Sequence, residues 1–257
     1  DGINTITANF TLSLLFELYT MISPFTFTNC GQTGYVGPSL STCRSSTNGY
    51  GGGANDGNWW QDTTNNYFNV TQTGYQLWTV PNTGNYTIYA KGAGEGWLKG
   101  SGAQVQANFS LTKGDIYMIL VGQMGIKGDG DGNWWASGGG GGTFMVKGTT
   151  YIGKQLGDVL IVAGGGGGSN ALTSGVVGAH GGDAENSSNS STAGGTGNAS
   201  TNQGSGGAGL NWDGLEGAST GPGRSYAFTN GGSGAYQSDI GNGHGGFGGG
   251  GEGGGNP

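Results

Sequence analysis

The residues whose type and spacing could carry chemistry are few: a set of Asn-X-Ser/Thr triplets, two cysteines, a repeated Asp-Gly-Asn-Trp-Trp motif and two histidines. The triplets begin at Asn9, Asn69, Asn85, Asn108, Asn186, Asn189 and Asn198. Their number means little in a chain this rich in Asn, Ser and Thr, but their placement is informative. In the first four the middle residue is Phe10, Val70, Tyr86 or Phe109, each inside a stretch that reads as a strand. Strand alternation turns that apolar residue inward and leaves Asn and the hydroxyl residue facing solvent, as N-glycosylation in a eukaryotic source requires. Cys30 and Cys43 are flanked by turn-forming residues, with no Cys-X-X-Cys spacing and no nearby His. A disulfide is expected, and with it an oxidising compartment; reduced thiols are the alternative. A loop of that size would stabilise the fold by about 3 kcal/mol on the chain-entropy argument.

The motif recurs at Asp56–Trp60 and Asp131–Trp135. Trp59, Trp60, Trp134 and Trp135 are candidate platforms for a glycan or protein ligand; the preferred alternative is that they pack against the glycine-rich body. Asp129, Asp131 and Asn133 have the spacing of a calcium-loop start, but Trp134 stands where the loop needs Gly and no Glu follows at its twelfth position. An acidic turn is the simpler reading, and no metal site is assigned. His180 and His244 have no evident acid or nucleophile beside them. The glycine runs lack the Lys-Ser/Thr ending that a phosphate loop requires. The expectation is a non-catalytic chain without a cofactor.

Composition narrows the class. Gly supplies 64 of 257 residues, only 9% are charged, and the formal net charge is −7. Collagen is excluded by 5 Pro and the lack of a Gly-X-Y period. An acidic chain with only 8 Lys and Arg is not expected to bind nucleic acid. The apolar stretch Leu12–Ile22 is interrupted by Ser13, Glu17 and Thr20 and is too short to span a bilayer. It also lacks a basic leader, so the sequence from Asp1 reads as mature.

These residues must be held by β-structure. Within residues 1–24, Phe10, Leu12, Leu14, Phe16 and Leu18 alternate with Thr11, Ser13, Leu15, Glu17 and Tyr19, which predicts one strand with an apolar face. Residues 25–163 hold short β-branched and aromatic runs bounded by turn residues. The predicted strands are Phe25–Thr28, Tyr67–Val70, Tyr75–Val80, Asn85–Ala90, Ala103–Leu111, Asp115–Gly122, Gly142–Val146 and Val159–Ala163. Such spacing predicts an all-β antiparallel sandwich of jelly-roll type with little or no α-helix. Residues 164–257 are rich in glycine but punctuated by Trp212, Phe228 and Phe247, which a flexible linker has no use for. Glycine runs at 138–142 and 164–168 abut strands directly. Polyglycine can adopt a left-handed threefold helix, and several such helices without side chains can hydrogen-bond laterally, so a packed bundle is expected.

The segments PFTFTNCGQTGYVGPSLSTC, YQLWTVPNTGNYTIYAKGAG, GGGGGTFMV and LIVAGGGGG, in that order, carry a resemblance. Over roughly Pro24 to the C-terminus the chain resembles the glycine-rich extracellular domain of anaplastic lymphoma kinase and leukocyte tyrosine kinase, also found in secreted proteins of protists. Some phage tail-fibre adhesins are similar in using glycine helices. The resemblance implies a sandwich of the tumour-necrosis-factor type joined to polyglycine helices, an extracellular setting and no enzymatic activity in this module. The strand at Phe10–Leu18 lies outside it. We therefore expect a secreted, glycosylated structural subunit of a fibre or coat, self-associating partly by donating that strand to a neighbour. The alternative is a binding module, a receptor ectodomain or adhesin recognising protein or glycan.

Overall fold

A computed structural model describes residues 17–21, 24–45, 50, 58–96, 100–128, 137–168, 207–214, 223–236 and 243–253. The described chain is antiparallel β-structure with one short α-helix, Leu40–Cys43. Among the described residues seven strands occur: β1 Phe68–Gln72, β2 Tyr75–Thr79, β3 Gly84–Lys91, β4 Gln104–Leu111, β5 Ile116–Leu120, β6 Thr143–Lys147 and β7 Val159–Ala163. Five form one sheet in the order β1-β2-β5-β6-β7, and β3 and β4 form a separate two-stranded ribbon. The predicted strands from Tyr67 onward coincide closely with these.

Both faces of the five-stranded sheet are covered, and alternation decides which residue serves which face. Trp78, Tyr117, Ile119, Met145 and Ile161 point to one core, where Tyr86, Ile88, Val105 and Phe109 of the ribbon pack with Phe25, Phe27, Trp59 and Trp60. Tyr75, Leu77, Met118, Leu120, Phe144 and Val146 point to the other, against Phe228 and Phe247 of the glycine-rich region. A strand buried on both faces reads as a continuous apolar run, as Ile116–Leu120 does.

Phe25–Thr28 is not a strand. Its last residue finds its partners in side chains instead: the Thr28 amide donates to the Tyr50 hydroxyl at 2.9 Å, and its carbonyl accepts from Gln76 Nε2 at 2.7 Å. Cys30 and Cys43 form the expected disulfide, 4.9 Å between Cα atoms. The helix it anchors starts at Ser39, whose hydroxyl accepts from the Thr42 amide.

Glycine segments from both the strand-rich and the glycine-rich parts of the sequence bond to one another laterally. Gly140 N–H donates to Gly166 O at 2.8 Å, Gly141 N–H to Gln123 O at 2.9 Å, Gly246 N–H to Gly139 O at 2.8 Å and Gly139 N–H to Gly251 O at 2.8 Å. The spacing admits no side chain: a Cβ on Gly141 would lie 1.8 Å from the Phe247 carbonyl oxygen. Backbone groups buried here thus satisfy each other, which only glycine permits at this separation.

Candidate functional site

The β3–β4 ribbon is where the sequence motifs meet the surface. On β3, Asn85, Thr87, Tyr89 and Lys91 are exposed while Tyr86 and Ile88 are half-buried and Ala90 is buried. On β4, Gln104, Gln106, Asn108 and Ser110 are exposed, and Val105, Ala107 and Phe109 are half-buried. The register sets Asn85 opposite Ser110 and Thr87 opposite Asn108. Two Asn-X-Ser/Thr triplets therefore face each other, each asparagine opposite the hydroxyl residue of the other triplet.

Side chains tie this arrangement together. The Thr87 hydroxyl donates to Asn108 Oδ1 at 2.7 Å, and the Ser110 hydroxyl donates to Asn85 Oδ1 at 2.8 Å. Both bonds use the carbonyl end of the amide and leave Nδ2, the atom that carries an N-linked glycan, outside them. The face is uncharged along these positions, and Tyr89, 56% exposed, extends it, its hydroxyl bonded to Gln104 Oε1. Asn69 differs: it is half-buried next to an irregularity in the β1–β2 register, and its Oδ1 accepts from the Val70 amide at 2.8 Å. Asn9, Asn186, Asn189 and Asn198 lie outside the described residues.

At the first copy of the tryptophan motif the packing alternative holds and the ligand platform does not, with both rings in the core beside the ribbon. Trp59 and Trp60 are 2% and 1% exposed and offer no surface to a ligand. Tyr19 stacks on Trp59 with ring centroids 4.7 Å apart, Phe25 lies 5.0 Å from it, and Arg44 Nε donates to the Trp60 carbonyl at 3.0 Å. Packing claims these rings because Tyr19, Phe25 and Phe27 close on Trp59 from far along the chain. Trp134 and Trp135 lie outside the described residues, as do Asp129, Asp131, Asn133 and His180.

Of the predicted donor strand, Phe10, Leu12, Leu14 and Phe16 are outside the described residues; Leu18 is half-buried. Its amide donates to the Pro81 carbonyl at 3.3 Å, and the Tyr19 hydroxyl donates to the Thr79 carbonyl. The end of that segment is therefore docked on the chain's own sandwich, beside the start of β3.

A second surface feature carries no motif. Tyr35 and Tyr236 have ring centroids 4.4 Å apart, and His244 lies 4.7 Å from Tyr236. Tyr236 is 45% exposed, and Val36, Met124 and Ile126 are exposed on adjoining segments. Gly34 N–H bonds to Met124 O, Gly234 N–H to Tyr35 O and Ile126 N–H to His244 O, which lays these segments side by side. No spacing in the sequence could announce a cluster drawn from positions 35, 124, 236 and 244.

Among the described residues no group of three or more His, Cys, Asp or Glu side chains is placed to hold a metal ion. No helix among them is long and apolar enough to cross a membrane.

No family model matches the chain. Over 114 residues, 40% of the chain, it is 33% identical to the leukocyte tyrosine kinase receptor of Mus musculus, and the match spans 11% of that receptor. This is a distant, receptor-like relation covering a small part of the receptor's length. The disulfide and that relation fit an extracellular setting.

Proposed function

We propose that this chain is a non-catalytic structural module of an extracellular fibre or coat, bearing N-linked glycans on the β3–β4 face. The observation that carries the reading is the glycine layer. Its segments pack largely backbone on backbone and bond laterally, an arrangement suited to a rigid body, and Glu95, Gln123, Ser137 and Glu252 lie buried among them. We take its laterally bonded segments to be polyglycine helices. The paired Asn85 and Asn108 triplets support glycosylation, since both asparagines are exposed on a strand pair.

The test is electron microscopy of the protein secreted from eukaryotic cells, with analytical sedimentation of the same material. Fibres or sheets are expected; particles of single-chain mass at every concentration would overturn the reading. The described end of the expected joining strand, Leu18 and Tyr19, is docked on the chain's own sandwich.

A second reading, an extracellular binding module, is favoured by the Tyr35–Tyr236–His244 stack, in which Tyr236 is exposed and Tyr35 and His244 are half-buried, since aromatic surface marks contact sites. Trp134 and Trp135 stay candidates for the same role. Binding on a glycan array that disappears in a Tyr35→Ala/Tyr236→Ala chain, and not in a Trp134→Ala/Trp135→Ala chain, would assign it to the stack.

A further inference from the structure

The five-stranded sheet ends in β1 on one side and β7 on the other. An edge strand turns half of its peptide groups away from its sheet, where a strand of another molecule can pair with them. At β1 the register fixes which groups these are. The Thr79 amide donates to the Tyr67 carbonyl at 3.0 Å, and Phe68 and Asn69 stand opposite Trp78 and Leu77. Antiparallel pairing alternates, so Tyr67 and Asn69 turn their peptide groups to β2, while Phe68 and Val70 turn theirs outward.

Side chains occupy two of these outward groups. Arg44 Nη2 donates to the Phe68 carbonyl at 3.1 Å, and Asn69 Oδ1 accepts from the Val70 amide at 2.8 Å. Arg44 Nε also donates to the Trp60 carbonyl at 3.0 Å, so one guanidinium ties the short turn Trp59–Gln61 to the edge. Arg44 is itself fixed from behind. It ends the helix Leu40–Cys43, its amide bonded to the Leu40 carbonyl at 2.9 Å, and the disulfide joins that helix to Cys30. A strand arriving at β1 would have to displace a cation whose backbone is held by a helix and a disulfide. It would also meet the irregular register between Asn69 and Gln72, which bends an edge out of line.

We propose that Arg44 and Asn69 are an edge guard, closing β1 to strand addition by a second copy of this chain, with the Cys30–Cys43 disulfide holding Arg44 in place. The excluded partner is a second copy because every copy presents the same edge, and two identical edges are complementary in an antiparallel arrangement about a two-fold axis. The inference goes beyond the fibre reading: it names a surface through which copies do not join, whatever surface joins them. It also gives the disulfide a positional task besides its general stabilisation of the chain.

The test is amide hydrogen exchange over residues 68–72 of the full, unglycosylated chain, at two protein concentrations a hundredfold apart. In the unsubstituted chain that exchange is expected to be slow and the same at both. In Arg44→Gln it should rise by about tenfold at the low concentration and slow again at the high one, where a second copy takes the edge. Arg44→Lys, which keeps the charge, should show a smaller rise, and Cys30→Ala/Cys43→Ala should behave as Arg44→Gln does. Adding Val70→Pro to Arg44→Gln removes an outward donor and should abolish the recovery at high concentration. Concentration-dependent exchange in the unsubstituted chain overturns the proposal, since the edge would then be open already. So does unchanged exchange in Arg44→Gln, or a rise that does not recover. An unaffected cysteine variant overturns the disulfide's part. Loss of the native near-ultraviolet signal in both Arg44 variants overturns the guard as well, because Arg44 would then be a requirement of folding. The readout is confined to β1, so its failure leaves the fibre reading to be decided by electron microscopy.

Discussion

Tyr50 connects residues that lie far apart in the sequence. Its hydroxyl accepts from the Thr28 amide and donates to Gln76 Oε1, and Gln76, fully buried, returns a bond to the Thr28 carbonyl. Burial pushes the Tyr50 phenol well above its usual range, with hydrogen bonds to Thr28 and Gln76 opposing that only in part. A folded pKa raised above the unfolded one gives stability that is complete below the unfolded value, about 10, and lost as pH rises through the folded one. The melting temperature should therefore hold steady between neutral pH and about 9 and fall beyond about 10. Tyr50→Phe should cost about 1–3 kcal/mol at neutral pH by leaving Gln76 short of a partner, and should flatten the alkaline fall. Some slope should remain, because burial also raises Tyr19 and Tyr75. Thermal melts from pH 7 to 11 check this. The exposed asparagines give the second residue-scale prediction. In protein secreted from eukaryotic cells, Asn85→Gln and Asn108→Gln should each remove one glycan mass by intact mass spectrometry. Thr87→Val should remove the glycan at Asn85 and keep the one at Asn108. The exposure of these two asparagines was legible from alternation alone, since a strand leaves its odd and even residues no choice of face. That Trp59 and Trp60 pack inside was the preferred reading, but their partners were not legible, because Tyr19, Phe25 and Phe68 close in on Trp59 from separate segments.

At the scale of elements, β2 to β7 could be read from the sequence because turn residues punctuate them and β-branched or aromatic residues fill them. Pro81-Asn82-Thr83 and Thr112-Lys113-Gly114 sit at the ends of β3 and β4, where the chain turns. Phe25–Thr28 has the same composition and is not a strand, since pattern cannot reveal that Tyr50 and Gln76 will satisfy its backbone. The partners of the glycine segments were illegible for a deeper reason. A side chain's pattern declares which face it buries, and glycine has none. Its constraint shows only in three dimensions, and it makes a sharp prediction. Gly141→Ala puts a Cβ 1.8 Å from the Phe247 carbonyl oxygen, in backbone that cannot yield cheaply. The cost should exceed about 4 kcal/mol, read as a collapse of the urea midpoint. Gly157→Ala meets nothing within 4 Å and has no strained backbone angle, so it should be neutral or stabilise by about 0.4–1 kcal/mol. Equal effects at the two sites would refute the backbone-contact account of the glycine layer.

The whole molecule is layered, with the ribbon and an aromatic cluster on one face of the five-stranded sheet and glycine segments on the other. Copies in a fibre must meet at a surface, and the described residues offer the Tyr35–Tyr236 stack with Val36 and Met124 beside it. Each copy carries a net charge of −7, so approach is opposed electrostatically and favoured by apolar contact. Both terms can be varied separately. Assembly should increase as salt rises from about 0.01 M to 0.15 M, where screening shortens from about 30 Å to about 8 Å. A Tyr35→Ser/Tyr236→Ser chain should stay dispersed at every salt concentration while keeping its melting temperature within a few degrees, because Tyr236 lies at the surface and Tyr35 is only half-buried. A Leu12→Asp/Leu14→Asp chain should keep its ordered assembly if copies join through that stack, and lose it if they exchange the N-terminal strand. Sedimentation and electron microscopy of the three chains distinguish a fibre joined through the glycine-side surface from one joined by exchanged strands. Loss of ordered assembly in the leucine variant, with none in the tyrosine variant, would return the joining role to the N-terminal strand.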